Sequence, residues 1–250
     1  MNRLENKVAI ITGAGGGIGS AIAETFADEG AAVLCVDIEA DPVGAVVEKI
    51  AAAGGRADAM VADVAEEKTA QDAVARAVDG FGSLSVLVSN AVTDLPYRPL
   101  TEIAVDDWRR TMDVNLNAAF LLAKHAIPAM DEAGGGSIVL VASQLGRVAR
   151  PGRPWYCAQK GGLINLARAM ALDHAGQNIR VNSLSPGPIE TGRYIKNFKN
   201  VEEARANNFT LFDRLGQPRE IAWGAVFLAS DEASFMTGAD LLIDGGYTAV

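Results

Sequence analysis

The 250-residue sequence has few of the residues that build metal centres and disulfide frameworks. It contains two cysteines, Cys35 and Cys157, and two histidines, His125 and His174. These residues are too far apart for a zinc motif, and two distant cysteines do not make a disulfide framework. Unpaired cysteines are typical of a reducing cytosol. We therefore predict a cytoplasmic protein without a metal site.

The sequence also lacks an excess of positive charge and any long apolar run. Its 22 lysines and arginines against 31 aspartates and glutamates give a net charge of −9, which disfavours nucleic-acid binding. No apolar run approaches the roughly 18 residues of a membrane span, and residues 1–7 lack the apolar segment of a signal peptide. We expect no nucleic acid and no membrane among its partners.

Apolar strands alternate with helices along the whole chain. The predicted strands cover residues 7–12, 32–37, 56–62, 84–90, 137–142, 179–184 and 240–244, and the predicted helices cover 20–27, 41–53, 66–80, 106–130, 154–174 and 218–229. Such alternation is typical of a parallel sheet with helices on both faces. Because the sequence has no internal repeat and no linker, we predict an α/β fold with one doubly wound domain over residues 1–250.

A glycine-rich turn separates the first predicted strand from the first helix. Gly13, Gly17 and Gly19 stand in the pattern Gly-x-x-x-Gly-x-Gly. Glycines let the backbone approach a pyrophosphate, and the free N–H groups at a helix start attract it. A glycine-rich loop can also be a simple tight turn, but its place between strand and helix favours phosphate binding.

The second predicted strand ends in an acid, Asp37. An acid at this place accepts hydrogen bonds from the adenosine ribose and repels a 2′-phosphate. The next residues, Ile38 and Glu39, supply no cation for such a phosphate. The sequence therefore predicts NAD rather than NADP as the cofactor. An alternative role for Asp37, as the N-cap of the following helix, is compatible with ribose binding.

A tyrosine and a lysine, Tyr156 and Lys160, lie four residues apart in a predicted helix. Residues at this spacing share one helix face. A nearby ammonium lowers the pKa of a phenol from its usual value of about 10, which makes the phenol a better acid or base near neutral pH. By itself the pair is also compatible with two solvated side chains on a helix surface.

The polar motifs of the sequence all fall where predicted strands end or where helices begin. In a doubly wound sheet, ligands bind outside the carboxyl ends of the strands. Such positions are occupied by 13–19, Asp37, Asp63, Asn90, Ser143, 186–189 and the start of the Tyr156 helix. Their agreement in position predicts one shared site.

With these residues the sequence resembles the short-chain dehydrogenase/reductase family, in its NAD-binding branch. The resemblance covers essentially the whole chain. It is carried by Thr12-Gly13-x-x-x-Gly17-Ile18-Gly19, Asn90-Ala91, Asn115, Ser143, Tyr156-x-x-x-Lys160 and Pro186-Gly187. It implies a Rossmann fold with a seven-stranded parallel sheet. It also implies NAD-dependent interconversion of a secondary alcohol and its ketone.

The resemblance also implies roles for individual residues. Tyr156 would donate and accept the proton, Lys160 would bind the nicotinamide ribose and poise Tyr156, and Ser143 would hydrogen-bond the reacting oxygen. Asn115 would anchor a water molecule that links Lys160 to solvent. Ser143 as a strand-end cap and Asn115 as a partner for a helix bend are the structural alternatives. The expected cofactor-binding residues are Gly13, Gly17, Ile18, Gly19, Asp37, Ile38, Asp63, Val64, Asn90, Ala91, Tyr156, Lys160, Pro186, Gly187, Ile189 and Thr191.

The sequence departs from the family pattern at Val92, where a glycine usually follows the Asn-Ala pair. Glycine there lets the backbone pass close to the cofactor. We expect the valine to narrow the pocket on the nicotinamide side or to shift the loop that follows it.

The substrate pocket is expected between Gln144, Arg153, Trp155 and Arg193, under a lid at about 190–217. The two arginines predict an anionic substrate, since guanidinium groups bind carboxylates and sulfonates in bidentate fashion. The alternative is that both arginines face solvent or pair with a neighbouring subunit.

The same residues distinguish this function from related ones. A ketone or 3-oxoacyl reductase would use the same site in the reducing direction, whereas a non-catalytic NAD-binding module would lack the catalytic four residues. An enoyl reductase would place its tyrosine farther from its lysine, and an epimerase of the longer branch would need a larger C-terminal region.

Apolar runs at 118–122 and 166–172 predict a homotetramer like those of related proteins, unless these runs are intramolecular core.

Overall fold

Seven parallel strands form the centre of the computed structural model, which describes residues 2–249. The strands are β1 (Val8–Thr12), β2 (Ala32–Asp37), β3 (Arg56–Val61), β4 (Val86–Ser89), β5 (Gly136–Val141), β6 (Ile179–Pro186) and β7 (Asp240–Ile243). Their order is β3-β2-β1-β4-β5-β6-β7, and every neighbouring pair is parallel. The predicted α/β fold with a seven-stranded sheet is confirmed. The strand order reverses between β1 and β4, and this is the switch point where such sheets bind ligands.

Helices cover both faces of the sheet. They are α1 (Gly17–Asp28), α2 (Ala40–Ala52), α3 (Glu67–Phe81), α4 (Val105–Met112), α5 (Ala118–Glu132), α6 (Pro154–His174), α7 (Gly192–Ile195), α8 (Val201–Ala206) and α9 (Pro218–Ala229). Side chains alternate between the faces of β1, so that Val8 and Ile10 pack into one core cluster while Ala9 and Ile11 pack into the other. This alternation follows from the period of two along a strand and explains the uninterrupted apolar strands of the sequence.

The predicted helix 106–130 is wrong in one respect, because it is not a single α-helix. The chain forms α4, then a π-helical turn over Asp113–Asn117, then α5. The side chain of Asn115 in this turn binds the backbone of Thr93 on both its N–H and its C=O. Apolar spacing over the long helix gives no sign of one additional residue in a turn, since the pattern resumes after it.

The segment 190–217 contains two short helices, α7 and α8, where the sequence shows only weak periodicity. Its two ends are held together: the N–H of Glu190 donates to the C=O of Gly216 at 2.8 Å, and the N–H of Gly216 donates to the C=O of Pro188 at 3.0 Å. The segment is therefore an excursion that leaves and returns at one point beside β6. Its role as a lid stays a prediction.

The two runs expected at a subunit interface lie partly in the core of this chain. Ala119 and Leu122 on α5 and Ala167 on α6 are almost fully buried. Phe120 and Leu172, by contrast, are 54% and 84% exposed. Part of each run is thus intramolecular core, and the exposed apolar side chains Phe120, Ala169 and Leu172 remain available to a second subunit. Among the helices of residues 2–249, none combines the length and the apolar character needed to cross a membrane.

Candidate active site

A cleft of about 570 Å³ opens at the carboxyl ends of the strands, across the switch point. It is lined by all but one of the predicted cofactor-binding residues: Gly13, Gly17, Ile18, Asp37, Ile38, Asp63, Val64, Asn90, Ala91, Tyr156, Lys160, Pro186, Gly187, Ile189 and Thr191. Ser143 and Arg193 line it as well. Residues from six strand ends therefore meet in one cleft, as their positions in the sequence predict.

Gly19 is the predicted cofactor-binding residue that does not line the cleft. It packs instead against the backbone of Gly13, within the glycine loop. A Cβ at Gly19 would overlap the carbonyl oxygen of Gly13 and would lie 2.6 Å from the Asn90 amide nitrogen. That amide in turn donates to the carbonyl oxygens of Thr12 and Gly13, at 3.0 and 3.2 Å. The contacts fix the loop after β1 against the loop after β4. A Cβ at Gly16, in contrast, would have no heavy atom within 4 Å, so the loop faces open space, which fits a pyrophosphate.

The carboxylate of Asp37 is held by backbone N–H groups. Gly15 donates to Oδ2 at 2.8 Å and Glu39 donates to Oδ1 at 3.1 Å. Helix α2 begins at Ala40 with Glu39 as its N-cap, so Asp37 is not the N-cap residue. Its position at the rim of the cleft next to the glycine loop fits contact with a ribose.

Tyr156 and Lys160 are both buried, so the surface-pair alternative is wrong. They are 6% and 3% exposed, and the Lys160 ammonium donates to the carbonyl oxygen of Val141 at 2.7 Å. Burial lowers the pKa of Lys160 to about 8. Burial alone would raise the pKa of Tyr156, but the positive charges of Arg193 and Lys160 outweigh it and hold the pKa of the phenol below its ordinary value.

Ser143 makes the contacts of its structural alternative while also lining the cleft. Its hydroxyl donates to the side-chain oxygen of Gln144 at 2.8 Å and accepts from the N–H of Leu145 at 3.1 Å, which caps the short 3₁₀ turn after β5. Gln144 is 7% exposed and lies behind the serine rather than on the cleft wall. It therefore orients the Ser143 hydroxyl.

Asn115 lies one layer below the cleft. Its amide donates to the carbonyl oxygen of Thr93 at 3.0 Å and to the side chain of Gln159 at 2.8 Å, and Gln159 donates to the hydroxyl of Thr111 at 2.9 Å. Gln159 is fully buried, and the sequence analysis missed it. The available signal was a polar residue directly before Lys160 and three residues after Tyr156. The water predicted at Asn115 stays a prediction.

Arg153 and Arg193 meet at a carboxylate that the sequence analysis also missed. Arg153 donates to Oδ1 of Asp94 at 3.2 Å, and Arg193 donates to Oδ2 of the same residue at 3.3 Å. Arg193 also lies 3.5 Å from the hydroxyl of Tyr156. Because both arginines bind Asp94 of their own chain, and Arg153 is 5% exposed, the alternative that they both face solvent is wrong.

Trp155 and Val92 form part of the apolar support behind Tyr156. Trp155 is fully buried and packs edge-on against the Tyr156 ring, with 5.3 Å between ring centroids. It does not reach the cleft, because the side chain before the tyrosine on a helix points to a different face. Val92 packs on the same cluster and lines the cleft without adopting a positive φ. Its side chain forms part of the cleft wall, and the narrowing expected there stays a prediction.

One further ion pair lies at the cleft. Arg110 on α4 lines the cleft and binds the carboxylate of Asp63 at 2.7 Å, a pair that the sequence analysis did not find. Within residues 2–249, no group of three histidine, cysteine or acidic side chains is placed to hold a metal ion. Cys35 and Cys157 are free thiols.

The switch-point cleft, the glycine loop and the acid at the end of β2 define a Rossmann-type nucleotide-binding protein. Residues 13–248 match a family model described as enoyl-(acyl carrier protein) reductase. The chain is 42% identical to the cyclohexanol dehydrogenase of Acinetobacter sp. (strain SE19), over 99% of this chain and 97% of the relative. It is 41% identical to the cis-4-hydroxycyclohexanecarboxylate dehydrogenase of Sinomonas cyclohexanicum, over 98% and 97%.

A solved structure of a 7α-hydroxysteroid dehydrogenase in complex with NADH and 7-oxo glycochenodeoxycholic acid matches with a TM-score of 0.92 and 37% identity, over 98% of this chain and 95% of that one. The chain belongs to the short-chain dehydrogenase/reductase family. It is thus an oxidoreductase of a family that uses a nicotinamide cofactor.

Proposed function

We propose that the protein is an NAD-dependent dehydrogenase that interconverts a secondary alcohol and its ketone, with Tyr156 as the acid and base. The observation that carries this proposal is the buried pair of Tyr156 and Lys160 at the rim of a cleft that also contains the glycine loop. A bound nicotinamide supplies the hydride chemistry. The protein then has to move one proton and stabilise one oxygen.

In the direction of oxidation, the Tyr156 phenolate takes the proton of the substrate hydroxyl, and the Ser143 hydroxyl holds the same oxygen. Lys160 keeps positive charge beside the phenolate and binds the ribose of the cofactor. Asn115 positions the loop at Thr93 and Gln159, and we keep its predicted water as the link from Lys160 to solvent. Gly13, Gly17 and the start of α1 hold the pyrophosphate.

The preference for NAD is supported by the fixed carboxylate of Asp37. It accepts two backbone N–H groups and still faces the cleft. A 2′-phosphate placed there would meet this negative charge. Arg110 of α4 also has its guanidinium group in the cleft, but this group already pairs with the carboxylate of Asp63.

Oxidation of the alcohol is our proposed direction, since NAD⁺ is the form that an enzyme with an acid at this place usually meets. A ketone or 3-oxoacyl reductase remains the alternative, because the same residues serve both directions. An enoyl reductase is disfavoured by the four-residue spacing of Tyr156 and Lys160. A non-catalytic module is disfavoured because all four catalytic residues are present.

We also propose that the substrate pocket favours an alcohol with a negatively charged group. Two guanidiniums share one carboxylate at Asp94, which leaves net positive charge beside Tyr156. Arg193 is the accessible one, with a side chain that is 35% exposed. The named substrates of two relatives, cyclohexanol and cis-4-hydroxycyclohexanecarboxylate, give a matched neutral and anionic pair.

The test is a substrate panel of these two alcohols and their ketones, followed by NADH fluorescence. We expect turnover with NAD⁺ and a fall in kcat of about 10³-fold for Tyr156→Phe, which keeps the ring but removes the proton carrier. Substantial turnover by Tyr156→Phe would overturn the mechanism. For the anionic preference, Arg193→Ala should lose more kcat/KM on the carboxylate than on cyclohexanol, and equal small losses would contradict it.

For the assembly, we propose a homotetramer in the cytoplasm. The exposed Phe120 and Leu172 on α5 and α6 support a subunit contact. Light scattering of the purified protein measures its oligomeric state directly. The double variant Phe120→Glu, Leu172→Glu should form a smaller oligomer or a monomer. A native monomer would contradict this proposal.

A further inference from the structure

Four side chains form a continuous chain of contacts that ends on the hydroxyl of Tyr156. Arg153, which directly precedes α6, binds one carboxylate oxygen of Asp94, and Arg193 of α7 binds the other. Arg193 then reaches Tyr156, with its Nη2 3.5 Å from the phenolic oxygen and its guanidinium carbon 5.6 Å from the ring centroid. The segment that carries Arg193 is the one predicted to act as the lid.

The charges that face Tyr156 come from three elements. Lys160, one turn along α6, has its ammonium nitrogen 5.6 Å from the ring centroid, and Arg153 at the start of the helix has its guanidinium carbon at 5.3 Å. Arg193 comes from α7, and Asp94 lies behind both arginines in the loop after β4. The titratable neighbours in the apolar cluster are Cys157 and Tyr247. Three cations and one carboxylate therefore surround the phenol.

Of these cations, Arg193 has the most direct position. The Lys160 ammonium donates a hydrogen bond to the carbonyl oxygen of Val141. Arg153 is stacked on the ring of Tyr97, with 4.2 Å between its guanidinium carbon and the ring centroid. Only Arg193 of the three is within hydrogen-bond distance of the Tyr156 oxygen among the described contacts. It is also the strongest of the charges that lower the pKa of Tyr156.

We propose that Arg193 is a second activating cation for Tyr156, carried by α7 and fixed by Asp94, so that the base is complete only when the 190–217 segment is in place. This role rests on the proposed function of Tyr156, and it goes beyond a contact with substrate. In oxidation, the guanidinium stabilises the phenolate before it takes the hydroxyl proton. The proton passes from the substrate oxygen to the phenolate oxygen, and Arg193 itself remains protonated.

Asp94 explains why Arg193 stays near Tyr156 despite the positive charge of Lys160. Its side chain is 5% exposed, and each of its oxygens holds one guanidinium. Shared between two arginines, it neutralises neither completely. The arrangement anchors Arg193 from below and leaves its other nitrogen directed at the phenol, so Asp94 is a positioning residue.

The experiment measures Tyr156 without relying on turnover. Ultraviolet difference titration of wild type against Tyr156→Phe isolates the ionisation of this phenol in the cofactor-free protein. We expect its midpoint to rise by about one pH unit or more in Arg193→Met and to be partly restored in Arg193→Lys, since a nearby cation favours the phenolate. The alkaline shift should recur in the pH profile of kcat/KM with the neutral substrate cyclohexanol.

The matched control is Arg205→Met, which removes another arginine of the same segment. Arg205 binds Glu190 at 2.7 Å and lies on α8, away from Tyr156. A shift in the control equal to that in Arg193→Met, or no shift in Arg193→Met, would overturn the proposal. Arg193→Gln replaces the Met variant if the latter does not fold. Because the titration needs no substrate, its failure is distinct from failure of the proposed reaction, which the turnover of Tyr156→Phe reports.

Discussion

The two sides of the cleft are held together by different kinds of contact. On the side of the glycine loop, backbone groups do most of the work: Asp37 accepts the N–H of Gly15, and Asn90 donates to two carbonyl oxygens. On the side of Tyr156, charged side chains meet from distant parts of the chain, and Asp94 and Arg193 lie 99 positions apart in the sequence. The first side is thus fixed by hydrogen bonds between side chains and the backbone, and the second by a buried ion cluster.

This difference has consequences for both stability and substitution. A hydrogen bond to the backbone does not depend on which side chain its residue carries. Where the glycine loop is tightly packed, however, there is no room for an added Cβ atom. A buried ion cluster, in contrast, depends on every member, because removing one partner leaves an uncompensated charge. We therefore expect the two sides to fail in different ways.

The largest expected effect is on the side of Tyr156. Asp94→Ala should lower the free energy of unfolding by about 3 kcal/mol, because Arg153 would stay buried without its partner. Its Nε already has no hydrogen-bond partner within the described chain. Urea unfolding measures the change. Asp58→Ala is the control: its partner Arg76 is 47% exposed, so we expect a loss of less than about 1 kcal/mol. Equal losses would contradict the buried cluster as a stabilising unit.

The corresponding change on the glycine side is Gly19→Ala. The added methyl group would overlap the carbonyl oxygen of Gly13, so we expect a loss of about 2 kcal/mol in unfolding free energy and a strong loss of NADH binding. Fluorescence titration with NADH measures the second effect. Gly44→Ala in α2 is the matched control, since a Cβ there has no neighbour within 4 Å, and it should stabilise by about 0.5 kcal/mol or more. Intact NADH binding by Gly19→Ala would refute the described loop packing.

A third change addresses the charge of Asp37. Asp37→Ser removes the charge and keeps a hydrogen-bonding group, so kcat/KM should fall about tenfold with NAD⁺ and rise with NADP⁺. Steady-state kinetics with both cofactors give the ratio. Glu39→Ser, at the neighbouring acid of the rim, is the control and should move the ratio less. An unchanged ratio in Asp37→Ser would remove the basis for the NAD preference.

The smallest effect concerns Lys160, which lies one turn from Tyr156 on α6. Its folded pKa of about 8 is below the ordinary 10.5, so the unfolded chain holds the proton where the folded protein has lost it. Stability attributable to this group therefore rises with pH between about 8 and 10.5. Lys160→Met should raise the free energy of unfolding by about 1 kcal/mol at pH 7, with the gap closing toward pH 10, while turnover is lost.

Thermal unfolding across this pH range measures the gap. The exposed Lys68→Met is the control, because Lys68 pairs with Asp72 on the helix surface and should change stability by less than about 0.5 kcal/mol at any pH. A constant gap between wild type and Lys160→Met would show that the buried ammonium carries no cost.

The same contrast explains what the sequence predicted and what it left out. All seven strands, the glycine loop, Asp37 and the Tyr156 helix follow from local patterns, and the structure brings them to one cleft. Asp94, Gln159 and Arg110 have no local pattern, because their partners are 44 to 99 positions away in the sequence and only the fold brings them near. The short helices of 190–217 were missed for a related reason, since four to six residues are too few to show a helical period.

The π-helical turn at Asp113–Asn117 sets the rotational phase between α4 and α5. Each residue of an α-helix advances the chain by about 100°, so deleting one residue here would restore a continuous α-helix and rotate all of α4 by that angle. Arg110 would turn away from Asp63 at the cleft, and Thr111 would turn away from Gln159 in the core. One additional residue thus keeps the outer rim of the cleft and the buried layer beneath Tyr156 in register.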